Sequence, residues 1–210
     1  MDFSLEVKEN YYIIRFTHPS RYISCAPYNG GFGRKSIYIN RHVSKKYNYD
    51  PEVEVKDFLS IEKIDVNDAV VTLTSVDISK YQAMKKRIGN YEMKLFITAG
   101  FENAVSIGNM NNLYGTINMC LITDLPLSES ASLNLIQSMV EAKAQCLNDH
   151  SIRDEETGKV SPGTSTDTVS LFILSDETSI KYGGRITEYG YNASDMVYAA
   201  LSKIIEKKDR

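Results

Sequence analysis

The sequence predicts an α/β or α+β fold, in which helices pack in layers against a single mixed sheet. Two observations predict it: the first forty residues show only strand patterns, and strand and helix patterns alternate after residue 50. A third observation bears on the number of domains. The 210 residues, 42% of them hydrophobic, contain no internal repeat and no convincing linker. We therefore predict a single domain over residues 1–210.

The N-terminal region is predicted to form four strands, at residues 4–7, 11–16, 21–26 and 35–40. The first two flank a turn at Lys8-Glu9-Asn10 and form a hairpin. The last two flank a glycine-rich segment, residues 29–33. That segment lacks the spacing of a Walker loop or a dinucleotide-binding fingerprint, so it is a weak phosphate signal.

Helices and strands follow in alternation. Asp50 is a suitable N-cap and Pro51 a suitable first residue for a short helix. Downstream, the patterns predict strands at 69–73, 91–98, 115–124 and 168–174, and helices at 77–88, 128–148 and 194–206. The strand at 115–124 is continuously apolar and is expected to be central. Residues 148–161 are polar and are predicted to form a loop.

Composition excludes several classes of protein. The net charge of −3 gives no basic field for nucleic acid. The acidic N-terminus does not resemble a signal peptide, and no apolar run is long enough to span a membrane. We therefore predict a cytoplasmic protein that binds neither nucleic acid nor membrane.

Common catalytic signatures are also missing. The three cysteines show no CxxC spacing, and His18, His42 and His150 have no metal-ligand neighbour one helical turn away. There is no Gly-x-Ser-x-Gly motif of the serine-hydrolase type. The usual signatures of a serine hydrolase and of a zinc amidase are therefore both missing.

A lysine lies within the apolar face of the long predicted helix. Helical projection places Lys143 between Met139 and Leu147, on a face that also includes Leu133, Ile136 and Val140. Glu141 points away, so the two charges are not a matched pair. Either Lys143 extends to water near the helix end, or it is buried and paired with a carboxylate in a cleft. The sequence leaves both open.

Two other segments place polar residues beside apolar ones. Thr116 and Asn118 share one face of the central strand, where Asn118 either pairs with a neighbouring loop or faces a polar cleft. Residues 163–167 combine a glycine, three hydroxyl groups and Asp167, which suits a turn or a site. Asn103 follows Gly100 at the end of another predicted strand, where the glycine permits a sharp turn that could present the Asn103 amide to a site.

These segments and several others, taken in their order along the chain, resemble the adenosylcobinamide amidohydrolase family, most strongly from Ile97 to Leu201. The matching strings, in order, are Ser24-Cys25-Ala26-Pro27, Gly30-Gly31, Asn40-Arg41-His42-Val43, Ile97-Thr98-Ala99-Gly100, Asn103-Ala104, Gly115-Thr116-Ile117-Asn118, Pro126-Leu127-Ser128, Glu141-Ala142-Lys143, Gly163-Thr164-Ser165-Thr166-Asp167, and Gly183-Gly184 with Thr187 and Gly190. The resemblance implies hydrolysis of the amide that joins adenosylcobyric acid to aminopropanol, a step of coenzyme B12 salvage.

The chemistry of these residues, and the convergence that we expect of their segments, suggest roles for the site residues. We expect Asp167 to activate water or the hydroxyl of Thr164 or Thr166, and Lys143 to hold Asp167 charged or to protonate the amine. Asn103 and Asn118 are expected to donate to the oxyanion. The remaining substrate-binding candidates are Thr116, Gly163, Gly30, Gly31 and Asn40. Cobalt enters only with the corrinoid substrate, so we expect no protein-bound metal and no cofactor.

Three alternatives remain open at this stage. The protein could bind a corrinoid without turnover, it could be an amidase with another substrate, or it could be a structural oligomer that uses the polar strand face as an interface. A homodimer is compatible with any of them.

Overall fold

A computed structural model of the protein describes residues 1–44, 50–110 and 115–208. The strands are β1 (Phe3–Val7), β2 (Tyr11–Ser24), β3 (Gly31–His42), β4 (Ala69–Thr74), β5 (Gln82–Ile88), β6 (Tyr91–Ala99), β7 (Ala104–Val105), β8 (Ile117–Thr123), β9 (Gly163–Thr164) and β10 (Thr168–Ile173). The helices are α1 (Pro51–Ile61), α2 (Glu129–Asp149) and α3 (Glu188–Lys208), with a short 3₁₀ helix at Ile78–Lys80.

Eight of the strands form one mixed sheet. Its order is β4-β3-β2-β10-β8-β6-β5, and β1 pairs with the N-terminal part of β2, residues 12–16. The pairs β3–β4 and β8–β10 are parallel, whereas the other neighbours are antiparallel. A two-stranded sheet of β7 and β9 stands apart. The predicted mixed-sheet layered architecture is confirmed, in its α+β form, and β8 is central as expected.

The core consists of three apolar clusters. One lies between α2, α3 and the face of β6, β8 and β10 that they cover. A second, rich in aromatic rings, combines residues of β2 and β3 with Phe96, Cys120 and Phe172 from β6, β8 and β10. The third packs α1 against β2, β3 and β4. The second cluster therefore brings the two halves of the sheet together, and β4 contacts β8 although the two strands are not hydrogen-bonded neighbours.

The two helix starts follow the sequence signals. The Asp50 side chain accepts a hydrogen bond from the Glu52 N–H, and the Ser128 hydroxyl accepts one from the Ala131 N–H. Each cap satisfies a backbone donor that has no partner within the helix. Within the described residues, no helix has the length and apolar character needed to cross a membrane.

The predicted helix at 77–88 is wrong. Only Ile78–Lys80 is helical, and Gln82–Ile88 is strand β5, which pairs with β6. Its side chains alternate between half-buried and exposed positions, which is the two-residue period of a strand. Gly89, at φ 56°, makes the tight turn into β6.

Other predicted boundaries shift. Strand β2 runs unbroken from residue 11 to residue 24, with a register irregularity between Arg15 and Ser20. Most of the glycine-rich segment enters β3, and α3 begins six residues earlier than expected. On α2, Leu133 and Val140 are 58% and 39% exposed, so the buried face is displaced from the projected one.

Candidate active site

The carboxylate of Asp167 is held by four donors. Its Oδ1 accepts hydrogen bonds from the Ile117 N–H, at 3.0 Å, and from the Thr164 hydroxyl. Its Oδ2 accepts one from the Thr164 N–H, at 3.1 Å, and forms an ion pair with the Lys143 ammonium. Asp167 meets Ile117 because the parallel register of β10 and β8 sets Thr168 beside Asn118. Three predicted polar segments therefore converge on one carboxyl group.

Lys143 is buried and paired, and it does not extend to water. Its side chain is 9% exposed and that of Asp167 is 12% exposed. A buried ammonium without a counter-charge would be strongly unfavourable, so each partner of this pair depends on the other. Glu141 points elsewhere, as projected, and forms an ion pair with Arg185.

Gly163 leaves room for this ion pair. A Cβ atom at residue 163 would collide with both Asp167 Oδ2 and Lys143 Nζ. A side chain here would therefore displace the carboxylate or the ammonium, because the backbone passes directly beside the two charged groups. The same residue begins β9, whose partner β7 carries Val105 opposite Gly163.

The rest of the 163–167 segment is fastened to its surroundings. The Thr166 hydroxyl donates to the Gly115 carbonyl at 3.0 Å, and the Thr116 hydroxyl donates to the Thr166 carbonyl at 2.7 Å. The Asn103 amide donates to the Ser165 hydroxyl at 2.8 Å. Of the predicted site residues, Asp167, Lys143, Thr164, Thr166, Thr116, Gly163 and Asn103 therefore lie together.

A cleft of about 400 Å³ lies in front of these residues. Thr116, Thr166 and Asp167 line one wall, and the end of β4 with Ser75 lines another. Cys25 also lines it, which sequence reasoning missed. The Val169 N–H donates to the Cys25 sulfur at 3.1 Å, so the thiol is held where β2 ends and β10 begins. Its place at the end of a predicted strand, inside a matching string, was the available signal.

Asn40 and Asn118 lie behind the cleft. Both are 0% exposed. The Asn118 amide donates to Asn40 Oδ1 and to the Leu73 carbonyl, both at 2.8 Å, and the Asn40 amide donates to the Thr98 hydroxyl at 2.9 Å. Because both amide hydrogens of Asn118 are engaged, the structure does not place them as donors to an oxyanion. These asparagines join β3, β4, β6 and β8 beneath the site.

Gly30 and Gly31 are separate from the cluster. A Cβ atom at Gly30 would collide with the Ala26 carbonyl, and Gly31 begins β3 with φ 106°. The described lining of the cleft includes neither glycine. Their environment explains why glycine is needed in this tight turn, but it gives no contact with a substrate.

Within the described ranges, no three His, Cys, Asp or Glu side chains are grouped so as to hold a metal ion. The chemistry present is a carboxylate, Asp167, that lines the cleft and contacts both the Lys143 ammonium and the Thr164 hydroxyl. Such a set can exchange protons along two hydrogen bonds. This arrangement has the groups that a hydrolase with acid–base chemistry requires.

The chain belongs to the adenosylcobinamide amidohydrolase family, whose sequence model matches residues 2–210. It is 28% identical over 191 residues to the adenosylcobinamide amidohydrolase of Methanosarcina mazei, covering 85% of this chain and 86% of that protein. It is also 23% identical over 190 residues to an uncharacterised protein of Methanocaldococcus jannaschii, covering 79% and 73% of the two chains. The predicted family is confirmed, and with it an amidohydrolase activity.

Proposed function

We propose that this protein hydrolyses the amide between adenosylcobyric acid and aminopropanol in adenosylcobinamide, and that it does so in the cytoplasm. Family membership supports the reaction. The observation that carries the site assignment is that Asp167, which lines the cleft, contacts both the Thr164 hydroxyl and the Lys143 ammonium. Cobalt enters as part of the substrate, and the proposal uses no resident cofactor.

The first step uses Thr164 as the nucleophile. Its hydroxyl already donates to Asp167 Oδ1, so the proton has a defined acceptor when Oγ1 attacks the amide carbonyl carbon. A new C–O bond forms, the carbonyl π electrons move to oxygen, and Asp167 becomes protonated. A water molecule activated by Asp167 is the competing nucleophile.

The second step releases the amine. As the C–N bond breaks, the electron pair goes to nitrogen, and Lys143 supplies the proton that makes aminopropanol a good leaving group. Asp167 then returns its proton to Lys143 through the ion pair that joins them. Water hydrolyses the resulting ester, which releases adenosylcobyric acid and restores Thr164.

In this proposal Asn103 and Asn118 act from behind the site. Asn103 holds Ser165, and Asn118 accepts a hydrogen bond from the Thr168 hydroxyl at 2.8 Å. Together they fix both ends of the Ser165–Thr168 segment that carries Asp167. Each is therefore a positioning residue.

Product analysis tests the function. The purified protein is incubated with adenosylcobinamide, and the corrinoids are separated by chromatography. We expect adenosylcobyric acid and free aminopropanol in equal amounts. Tight binding of the corrinoid without either product would instead indicate a carrier, and neither binding nor products would indicate an amidase for another substrate.

Mass spectrometry of rapidly quenched reactions distinguishes the nucleophiles. We expect a corrinoyl adduct on the peptide that contains Thr164, and none with Thr164→Val. Full activity of Thr164→Val would instead assign the attack to water activated by Asp167. Thr157→Val, in the neighbouring loop, is the matched control.

A further inference from the structure

A second cavity adjoins the cleft. It measures about 580 Å³ and is lined by His42, Ser79, Lys80, Gln82, Phe101 and Glu102, among others. We call this cavity the second lobe. It lies where β3 ends, β5 begins and the loop after β6 turns, with the C-terminal part of α3 closing one side.

The cleft and the second lobe share a boundary. Ser75 lines both cavities. The Gly100 N–H, on the side of the second lobe, donates to the Thr116 carbonyl at 3.0 Å, on the side of the cleft. A Cβ atom at Gly115 would lie 3.2 Å from the Gly100 carbonyl oxygen, so the backbones approach closely there. One ligand could therefore occupy both cavities by crossing a narrow strip of backbone.

The substrate is large enough to need both. The scissile amide lies on a peripheral side chain of the corrin ring, whereas the adenosyl group is bound to the cobalt at the ring's centre. A cleft of about 400 Å³ can take the amide and its surroundings but not the whole corrinoid. Pockets for complete small ligands usually measure about 300–1,000 Å³ and bury most of the ligand surface.

The lining of the second lobe differs chemically from that of the cleft. It offers the Glu102 carboxylate and the carboxamide oxygen of Gln82, whose N–H groups donate to the Lys80 and Tyr81 carbonyls. Carboxylates are well suited to accept hydrogen bonds from a ribose diol, and a carboxamide oxygen can accept one from the amino group of adenine. A Cβ atom at Gly100 would lie 3.0 Å from Glu102 Oε2, which places this carboxylate over the shared strip.

We propose that the second lobe binds the adenosyl group of the substrate, with Glu102 accepting from the ribose hydroxyls and the Gln82 carboxamide oxygen accepting from the adenine amino group. This inference rests on the proposed function, because it uses the same substrate. It assigns specificity for the upper cobalt ligand to residues that take no part in breaking the amide.

The test measures binding of two products, so that it does not depend on turnover. Adenosylcobyric acid and cyanocobyric acid lack the scissile amide and differ at the upper cobalt ligand. Their dissociation constants are measured by titration calorimetry for the wild-type protein and for the double variant Gln82→Ala/Glu102→Gln. The matched control is Gln137→Ala/Glu155→Gln, at exposed positions outside both cavities.

We expect the double variant to bind adenosylcobyric acid about tenfold more weakly, which is the scale of losing hydrogen bonds to a charged group. Its affinity for cyanocobyric acid should stay within about twofold of the wild type. Equal weakening for both corrinoids, or no weakening for either, would overturn the inference. Absence of hydrolysis with both affinities behaving as expected would instead count against the proposed function alone.

Discussion

Asp154 and Asp167 lie on neighbouring loops and accept similar hydrogen bonds, but their roles differ. Asp154 accepts bonds from the Ser106 N–H and hydroxyl and from the Asn109 amide, at 2.7–3.0 Å, and it is 0% exposed. Asp167 also accepts from backbone N–H groups and a hydroxyl, but one of its partners is the Lys143 ammonium, and it faces a cleft.

The difference is the kind of partner. Asp154 accepts hydrogen bonds from N–H and O–H groups of its own loop and of the segment after β7, so its charge fixes one loop against another. At Asp167 a proton can be passed to or from a hydroxyl and an ammonium. The structure therefore separates a carboxylate that fastens loops from one that is equipped for chemistry.

Removing either charge at the active site should have the largest effect. We expect Asp167→Asn and Lys143→Met each to lower kcat/KM roughly hundredfold or more, about 3 kcal/mol of barrier, because each removes one route for the proton. Initial rates of aminopropanol release, with circular dichroism to check folding, measure this. The control is Glu141→Gln, which lies on the same helix as Lys143 and breaks the ion pair between Glu141 and Arg185. Full activity in both folded variants would refute the assignment.

Adding a single methyl group should disturb the same ion pair without removing a functional group. We expect Gly163→Ala to lower kcat/KM by about tenfold or more, because forced overpacking beside Asp167 and Lys143 costs about 1–3 kcal/mol. The control is Gly184→Ala, where a Cβ atom would meet nothing within 4 Å. Equal activity of the two variants would show that the ion pair tolerates displacement.

The asparagines behind the cleft should affect stability more than chemistry. We expect Asn118→Ala to lower the free energy of unfolding by about 1–3 kcal/mol, because it removes the buried hydrogen bonds that Asn118 makes with Asn40 Oδ1, the Leu73 carbonyl and the Thr168 hydroxyl. Urea denaturation measures this change. The kcat of the folded fraction should fall less than in Asp167→Asn. A fall in kcat as large as that of Asp167→Asn, at unchanged stability, would restore Asn118 as a direct participant.

Acid should reveal Asp154 as a structural group. Hydrogen bonds from the Ser106 N–H, the Asn109 amide and the Ser106 hydroxyl, in that order, lower the pKa of Asp154 below its usual value. Its contribution to stability is therefore complete above pH about 4 and is lost as the pH falls toward the lower pKa of the folded state. Asp154→Asn should flatten the melting-temperature profile below pH about 4. An unchanged profile, with activity abolished at neutral pH, would contradict this role.

The sequence predicted the elements whose signals are local. The caps at Asp50 and Ser128 and the apolar run of β8 each depend on residues within one element. The helix predicted at 77–88 failed because its short apolar pattern suits either period, and pairing with β6 decides between them. A short strand whose pattern suits either period is distinguished from a helix only by its pairing partner.

The sequence indicated which polar residues belong to the site, but not which of them contact one another. Lys143 is unusual in an apolar helix face, and this signal survived even though Leu133 and Val140 proved to be exposed. Its partner could not be read from the sequence, because Asp167 reaches it only through the β8–β10 register. The same register separates Asp167, at the cleft, from Asn118, which is sealed beneath it.

The coupling between Lys143 and Asp167 tests the account most directly. It is obtained from kcat/KM for adenosylcobinamide with the wild type, Lys143→Met, Asp167→Asn and the double variant. If the pair acts as one proton-transfer unit, the double variant should be no slower than the slower single variant. Losses that multiply in the double variant would show that the two residues act independently and would contradict the central claim.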